Sequence, residues 1–208
     1  MRIITVDHDL ADVSTNGFAT GLTGPGPFTT FTVSTPTDGI AHTISLTAPA
    51  ANDLSAITMT ILGTDADGIS QTEARLGPGS STTVSTAAYF KTIISITASV
   101  SLGALVMDVG WSAGSASRTI PVNRLSDTST GYAVDVTGTC TYSVQQTFTP
   151  FNSANEFTTT KAWVVVAGTS GVAIDNSSSS IIGANGLRLI TTTYSSGAEL
   201  QWFVQSSS

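Results

Sequence analysis

Apolar and polar residues alternate with a period of two through much of this chain, and short segments rich in Gly, Pro, Asn and Asp interrupt the alternation. Ile57, Met59 and Ile61 fall on one side of such a run, with Thr58, Thr60 and Leu62 opposite; Ile94 and Ile96 are read the same way, with Ser95 and Thr97 between and after them. Successive side chains leave a strand on opposite faces, so this is the pattern of strands buried on one face. In the first half it predicts strands at 28–34, 42–47, 56–63, 69–75, 81–85, 92–100 and 105–111. Breaks fall at Gly24-Pro25-Gly26-Pro27, 36–39, 49–53, 65–68, Gly77-Pro78-Gly79 and Leu102-Gly103. Short strands recurring about every 8–12 residues between turn signals predict an antiparallel sandwich.

The second half predicts strands at 118–123, 131–135, 139–148, 161–167, 187–194 and 199–205. The last two, separated by Ser195-Ser196-Gly197, read as a hairpin. Trp163 with Val164, Val165 and Val166 reads as a buried strand, and 86–91 (TAAYFK) as room for one helical turn with Tyr89 and Phe90 as core anchors. No segment sustains a helical period. The expected fold is therefore all-β, with two antiparallel sandwich domains of Ig-like or jelly-roll-like type. The small, polar run at 112–117 (SAGSAS) suits a linker and places the boundary near Gly114. The expected division is an N-terminal arm at 1–22, a first sandwich at 23–114 and a second at 115–208. The arm has two readings: an ordinary edge strand around 2–6, or a segment that reaches a neighbouring subunit.

Composition narrows the function. Only 10% of the 208 residues are charged, against an average of about 25%. Ser and Thr together fill roughly 30% of the chain, and β-branched Thr suits a half-wet pleated surface. Seven Lys and Arg against 14 Asp and Glu give a net charge of −7, which argues against a phosphate-backbone partner. A single cysteine, Cys140, precludes a disulfide within the chain and reads as a small buried hydrophobe. The N-terminus lacks the apolar core of a secretory signal. No run approaches the length of a membrane-spanning helix, so no membrane partner is expected.

Chemistry-bearing residues are sparse. Asp65-Ala66-Asp67-Gly68 resembles the start of a calcium loop, but the further oxygen ligands and closing Glu are missing. A hairpin turn whose Asp side chains bond backbone amides explains it better. Asp7, His8 and Asp9 with His42 could offer a metal two His and two carboxylates, but two His alone fall short of the usual three-ligand zinc site, and solvated arm residues are the expectation. Only three acids are Glu (Glu73, Glu156 and Glu199), and the acids are scattered one per strand or turn, so no carboxylate pair suggests glycoside hydrolysis. There is no G-x-S-x-G elbow, and the Gly-rich segments lack the Lys and helix of a phosphate cradle. The expectation is a non-enzyme with no catalytic residues, no metal and no cofactor. Asn176–Ser180 reads as a loop tip. Tyr132, Phe151, Trp163 and Trp202 are the candidates for a glycan-gripping platform, each read first as core.

The run from Asp53 to Trp111 resembles a segment of small β-rich virion proteins of tailed bacteriophages. It carries D-L-S-x-I-T at 53–58, G-T-D-A-D-G at 63–68, a Gly-Pro turn, the Phe90-Lys91 pair and a strand ending at Gly110-Trp111. The second half is similar to phage structural modules in V-Q-x-T-F at 144–148, Pro150-Phe151, Trp163, Gly186-Leu187-Arg188-Leu189 and a closing Thr/Ser hairpin. The loop after Phe148 is less Asp-rich here than in such modules. The resemblance covers residues 40–204 and implies a virion structural protein, made in the bacterial cytoplasm. Such a protein would associate with itself, cyclically and three-fold or higher, and with the major capsid protein or other virion proteins, as a head decoration or cement protein. A tail, neck or collar component, or a glycan-binding fibre module, are the alternatives.

Overall fold

The computed structural model describes residues 2–122, 130–150, 161–181 and 183–206, and among them there is no helix. The strands of the first half are β1 (Arg2–Asp9), β2 (Ser14–Leu22), β3 (Ala41–Thr47), β4 (Thr58–Thr64), β5 (Ser70–Leu76), β6 (Thr83–Phe90), β7 (Thr92–Ala98) and β8 (Met107–Ala116). Those of the second are β9 (Ile120–Pro121), β10 (Thr130–Thr137), β11 (Cys140–Thr147), β12 (Val164–Val165), β13 (Asn176–Ile181), β14 (Gly186–Tyr194) and β15 (Glu199–Ser206). The chain folds as two compact units, one of Val13–Ser115 and one of Met1–Asp12 with Ala116–Ser208. The first twelve residues thus belong with the C-terminal half.

In the unit Val13–Ser115, one layer has the strand order β2-β8-β3-β6 and the other β5-β4-β7. Their inner faces share one core that includes Phe18, Ile44, Leu46, Leu54, Met59, Ile61, Phe90, Ile96, Met107 and Trp111. Phe18 meets Trp111 edge-on, with ring centroids 5.1 Å apart, a favoured aromatic geometry. That contact depends on glycine: a Cβ at Gly17 would strike the Trp111 ring, and one at Gly110 the backbone of Ser14. Alternation is clean in β4, where Met59, Ile61 and Gly63 are buried and their neighbours half-buried. In β7 the phase breaks. Ile93 and Ile96 are buried, whereas Ile94 is 49% exposed. The cause is a bulge: Leu62 pairs with Ser95 but Gly63 with Ile93, so Ile94 is the extra residue and the pattern flips around it.

Three further expectations for this unit are corrected. Segment 28–34 is not a strand: it touches β7 through the Phe28–Ile96 bridge and the Ile93 N–H to Ser34 bond, while the Thr32 amide turns away to Phe18 O. Segment 86–91 is not a helical turn but the end of β6. Its helical look is a bulge in which residues 86–88 face Ile44 alone, closed by Thr86 Oγ1, which accepts from the Ile44 amide and donates to Ala88 O. Segment 112–117 is not a linker; β8 continues to Ala116. At Gly114 a small residue is required, because a Cβ there would sit 2.7 Å from Thr43 Oγ1. Of the two readings of the arm at 1–22, the edge strand around 2–6 is present as β1 in the other unit, and β2 follows in this one.

In the other unit one layer has the order β1-β15-β10-β13; in the second, β11 lies between β12 and β14, and β9 pairs with β14. Tyr132, Val134, Tyr142, Val144, Leu187, Leu189, Leu200, Trp202 and Val204 fill the core between them. The expected hairpin of 187–194 with 199–205 does not form. β14 pairs with β11, while β15 pairs with β10 and β1. The chain crosses between layers at 195–198 and again at Gly138-Thr139, and the two corners are tied by the Ser195 N–H to Thr139 O bond at 2.8 Å. Segment 118–123 yields only the pair Ile120–Pro121, whose proline has no N–H to extend a ladder; Asn123 lies outside the described residues. Segment 161–167 yields only Val164–Val165, both exposed, and Trp163 is half-buried rather than inside a core strand. Asn176–Ser180, read as a loop tip, lies in β13, paired with β10.

Candidate functional site

The most chemically distinctive group lies in the Val13–Ser115 unit. The turn at 36–39 returns Asp38 to β3, where its Oδ2 is 2.7 Å from His42 Nε2; the side chains are 6% and 0% exposed. Asp38 Oδ1 also accepts the Ile40 amide at 2.9 Å. On the other side of the ring, Nδ1 lies 3.1 Å from the carbonyl oxygen of Ser112. Both ring nitrogens therefore have a partner, a carboxylate on one side and a backbone carbonyl on the other.

Asp, His and Ser stand together here, but not as a nucleophilic relay. In such a relay the imidazole takes the proton of a serine hydroxyl. His42 instead meets the Ser112 backbone oxygen, while the Ser112 hydroxyl lies 2.5 Å from Thr43 Oγ1. The arrangement pins the 36–39 turn to β3 and β8. Sequence reading missed it because Asp38 looked like a turn residue; the spacing of four between Asp38 and His42 was the available signal.

A second group lies on the exposed face of β1, β15 and β10. Asp7 pairs with Gln201 and Gln201 with Asp135; Asp9 pairs with Glu199 and Glu199 with Thr137. These residues line an open cleft of about 300 Å3. Gln201 Nε2 donates to Asp7 Oδ1 at 2.8 Å. The sequence cluster Asp7-His8-Asp9 is split by the strand: Asp7 and Asp9 face out, and His8 is buried on the inner face. His42 belongs to the other unit. Among the described residues no group of three or more His, Cys, Asp or Glu is placed to hold a metal ion.

The remaining polar side chains serve the chain itself. Asp65 Oδ1 accepts the amides of Asp67 and Ile69, each at 2.9 Å, and Gly68 has φ +82°, a closed turn. Glu73 reaches from β5 to the opposite layer and accepts the Ala87 and Ala88 amides of β6, while Gln71 Nε2 donates to Tyr89 O. Asp53 accepts the Ser55 hydroxyl and amide, which hold its carboxyl below the usual range. Burial pushes the Cys140 thiol up to about 11 and, with small repulsive contributions from neighbouring groups, the Tyr142 hydroxyl to about 12. A thiol so far from ionisation is a poor nucleophile at neutral pH.

No family model matches this chain, and no match was found to a curated protein or to a solved structure.

Among the described residues the aromatic candidates do not form a platform. Trp202 and Tyr132 are 0% and 5% exposed and belong to the core. Trp163 is half-buried and carries Arg188 on its ring, with Cζ 4.1 Å from the centroid, while Arg188 Nε donates to Gln145 Oε1 at 2.8 Å. Phe151 lies outside the described residues. The Arg188–Trp163 contact was not foreseen; it joins residues 25 positions apart that only strand pairing brings together.

Proposed function

We propose that this chain is a non-catalytic structural protein of a tailed-phage particle. In this reading two β-sandwich domains associate with further copies and with the capsid shell, which they decorate or cement. The particle assignment rests on the sequence resemblance of residues 40–204. The structural observation that supports it is an exposed apolar strip in the C-terminal unit. Among the described residues Val164 and Val165 form the outermost strand beside β11 and are 52% and 39% exposed, and Phe148, just past β11, is 50% exposed. An outer strand of two valines, with neither Lys nor Glu in it, invites association unless something covers it. Docking such a face desolvates few ions, so little polar hydration is lost.

The mechanism is linkage. A protein that binds only the assembled lattice lowers the free energy of that state and raises the threshold for its disassembly. Asp53, Asp65, Glu73 and the Asp38–His42 pair are engaged with the chain's own backbone or with one another, which suits a scaffold better than a reaction centre.

The test is the copy number of this chain in purified particles of the virus that encodes it, by quantitative mass spectrometry against the major capsid protein. A number commensurate with the shell lattice is expected. A single ring's worth of copies would place it in the tail or neck, and absence from the particle would overturn the reading.

A further inference from the structure

We propose that β1 is an exchangeable strand, and that in the oligomer it completes the β15 edge of a second copy of this chain. The inference rests on the self-associating role proposed above.

β1 lies at the edge of its layer and pairs with β15 alone in that layer's order among the described residues. The ladder is unbroken from Arg2↔Ser206 to Asp9↔Glu199. Residues 1–12 belong to the C-terminal unit, yet the chain enters the other unit at Val13. A short segment between β1 and β2 joins the strand to the other unit. Exchange of an identical element through a short hinge is a low-cost route to oligomers.

What holds β1 is local and travels with it. Ile4, Val6 and Leu10 pack against the core of the C-terminal unit, and Tyr194 Oη donates to Ala11 O at 2.6 Å. Each of these contacts forms equally well with a strand from another chain. The outward face is also the same in both arrangements: Gln201 Nε2 donates to Asp7 Oδ1 and Asp9 lies opposite Glu199 whichever chain supplies the strand. If β1 leaves, the whole length of β15 loses its partner, and an open edge of that length demands a cover. Every copy carries both one such strand and one such edge, so exchange in a closed ring satisfies every ladder.

The test places cysteines at facing positions of the ladder. In a Cys140→Ser background, Ile3→Cys with Gln205→Cys joins one facing pair, and Thr5→Cys with Phe203→Cys joins a second should the first fail to fold. Facing Cα atoms of an antiparallel pair lie about 4.5–5.5 Å apart, within disulfide reach. The full chain is sized by light scattering, oxidised, and run on a non-reducing denaturing gel beside the single-cysteine variants. The expected result is an oligomer whose disulfides run mainly between chains, at a yield well above either single variant. An oligomer whose disulfides lie mainly within chains, or whose linked yield does not exceed the single variants, overturns the exchange and leaves the self-associating role standing. A monomer at all concentrations overturns both.

Discussion

Removing the Asp38 carboxylate isolates a contact that decides how the 36–39 turn is held. The pair is almost fully out of water, with His42 at 0% and Asp38 at 6% exposure and 2.7 Å between the bonded atoms. Breaking a buried pair by deleting one partner costs about 3–5 kcal/mol, because the remaining charge stays buried without compensation. In Asp38→Ala the His42 ring nitrogen and the Ile40 amide both lose their partner, and a buried polar group left unsatisfied costs about 1–3 kcal/mol. The expected destabilisation is therefore about 3 kcal/mol, a fall in melting temperature of roughly 6–12 °C for a chain of this size if it unfolds in one step.

Asp38→Asn keeps the shape and an acceptor oxygen and is expected to cost about half as much, on the order of 1.5 kcal/mol. Urea unfolding followed by intrinsic fluorescence reads the effect, since Trp111 lies in the same unit. The double variant Asp38→Ala/His42→Gln tests the coupling: its loss should fall short of the summed single losses by at least ~1 kcal/mol. A cost below ~0.5 kcal/mol for Asp38→Ala, the range of ordinary surface substitutions, would refute the reasoning, as would strict additivity in the cycle.

Glu199→Gln removes the like-charge rung opposite Asp9; it should raise stability by about 0.2–1 kcal/mol at low salt and much less in molar salt, where screening already does the same, both read by thermal melts. Gly17→Ala should cost several kcal/mol and perturb near-ultraviolet circular dichroism, because the new methyl collides with the Trp111 ring and overpacking forces the core to shift. Cys140 and Tyr142 have ionisations raised by burial, from 9.0 to about 11 and from 10.0 to about 12. Their contribution is complete below the unfolded-state values and is lost as pH rises through the folded ones, so urea midpoints should fall between pH 9 and 12, and the native thiol should resist alkylation at neutral pH.

Periodicity proved a good guide to where strands lie and a poor one to which strand they join. β4 and β14 stand close to where alternation put them, yet β14 and β15 do not form the hairpin their separation suggested. A tight hairpin and a corner that crosses between layers use the same residues, small and polar with one glycine at positive φ; here it is Gly197 at +71°. What separates them is whether the second strand finds a better partner elsewhere, and β15, apolar at Leu200, Trp202 and Val204, is enclosed by β10 and β1. That is a tertiary fact with no local signature. Ile94 carries the same lesson at the scale of one residue, because a bulge leaves composition unchanged and inverts every later face.

The polar groups were hard to read for a related reason. Asp65 was legible as a turn because its amide partners are two and four residues away. Glu73 was not, because its partners, the Ala87 and Ala88 amides, lie on a strand of the opposite layer. In a chain with so few charges, a carboxylate committed to distant backbone amides fixes how two layers meet. Three of the polar links, Asp38 with His42 and Ser112, Glu73 with β6, and Tyr194 with Ala11, each close a segment that the ladders leave open. Asp38, Asp65 and Glu73 are thus committed to closing the fold, whereas Asp7, Asp9, Asp135 and Glu199 stay on the exposed face of β1, β15 and β10, where the ladder register alone brings them together.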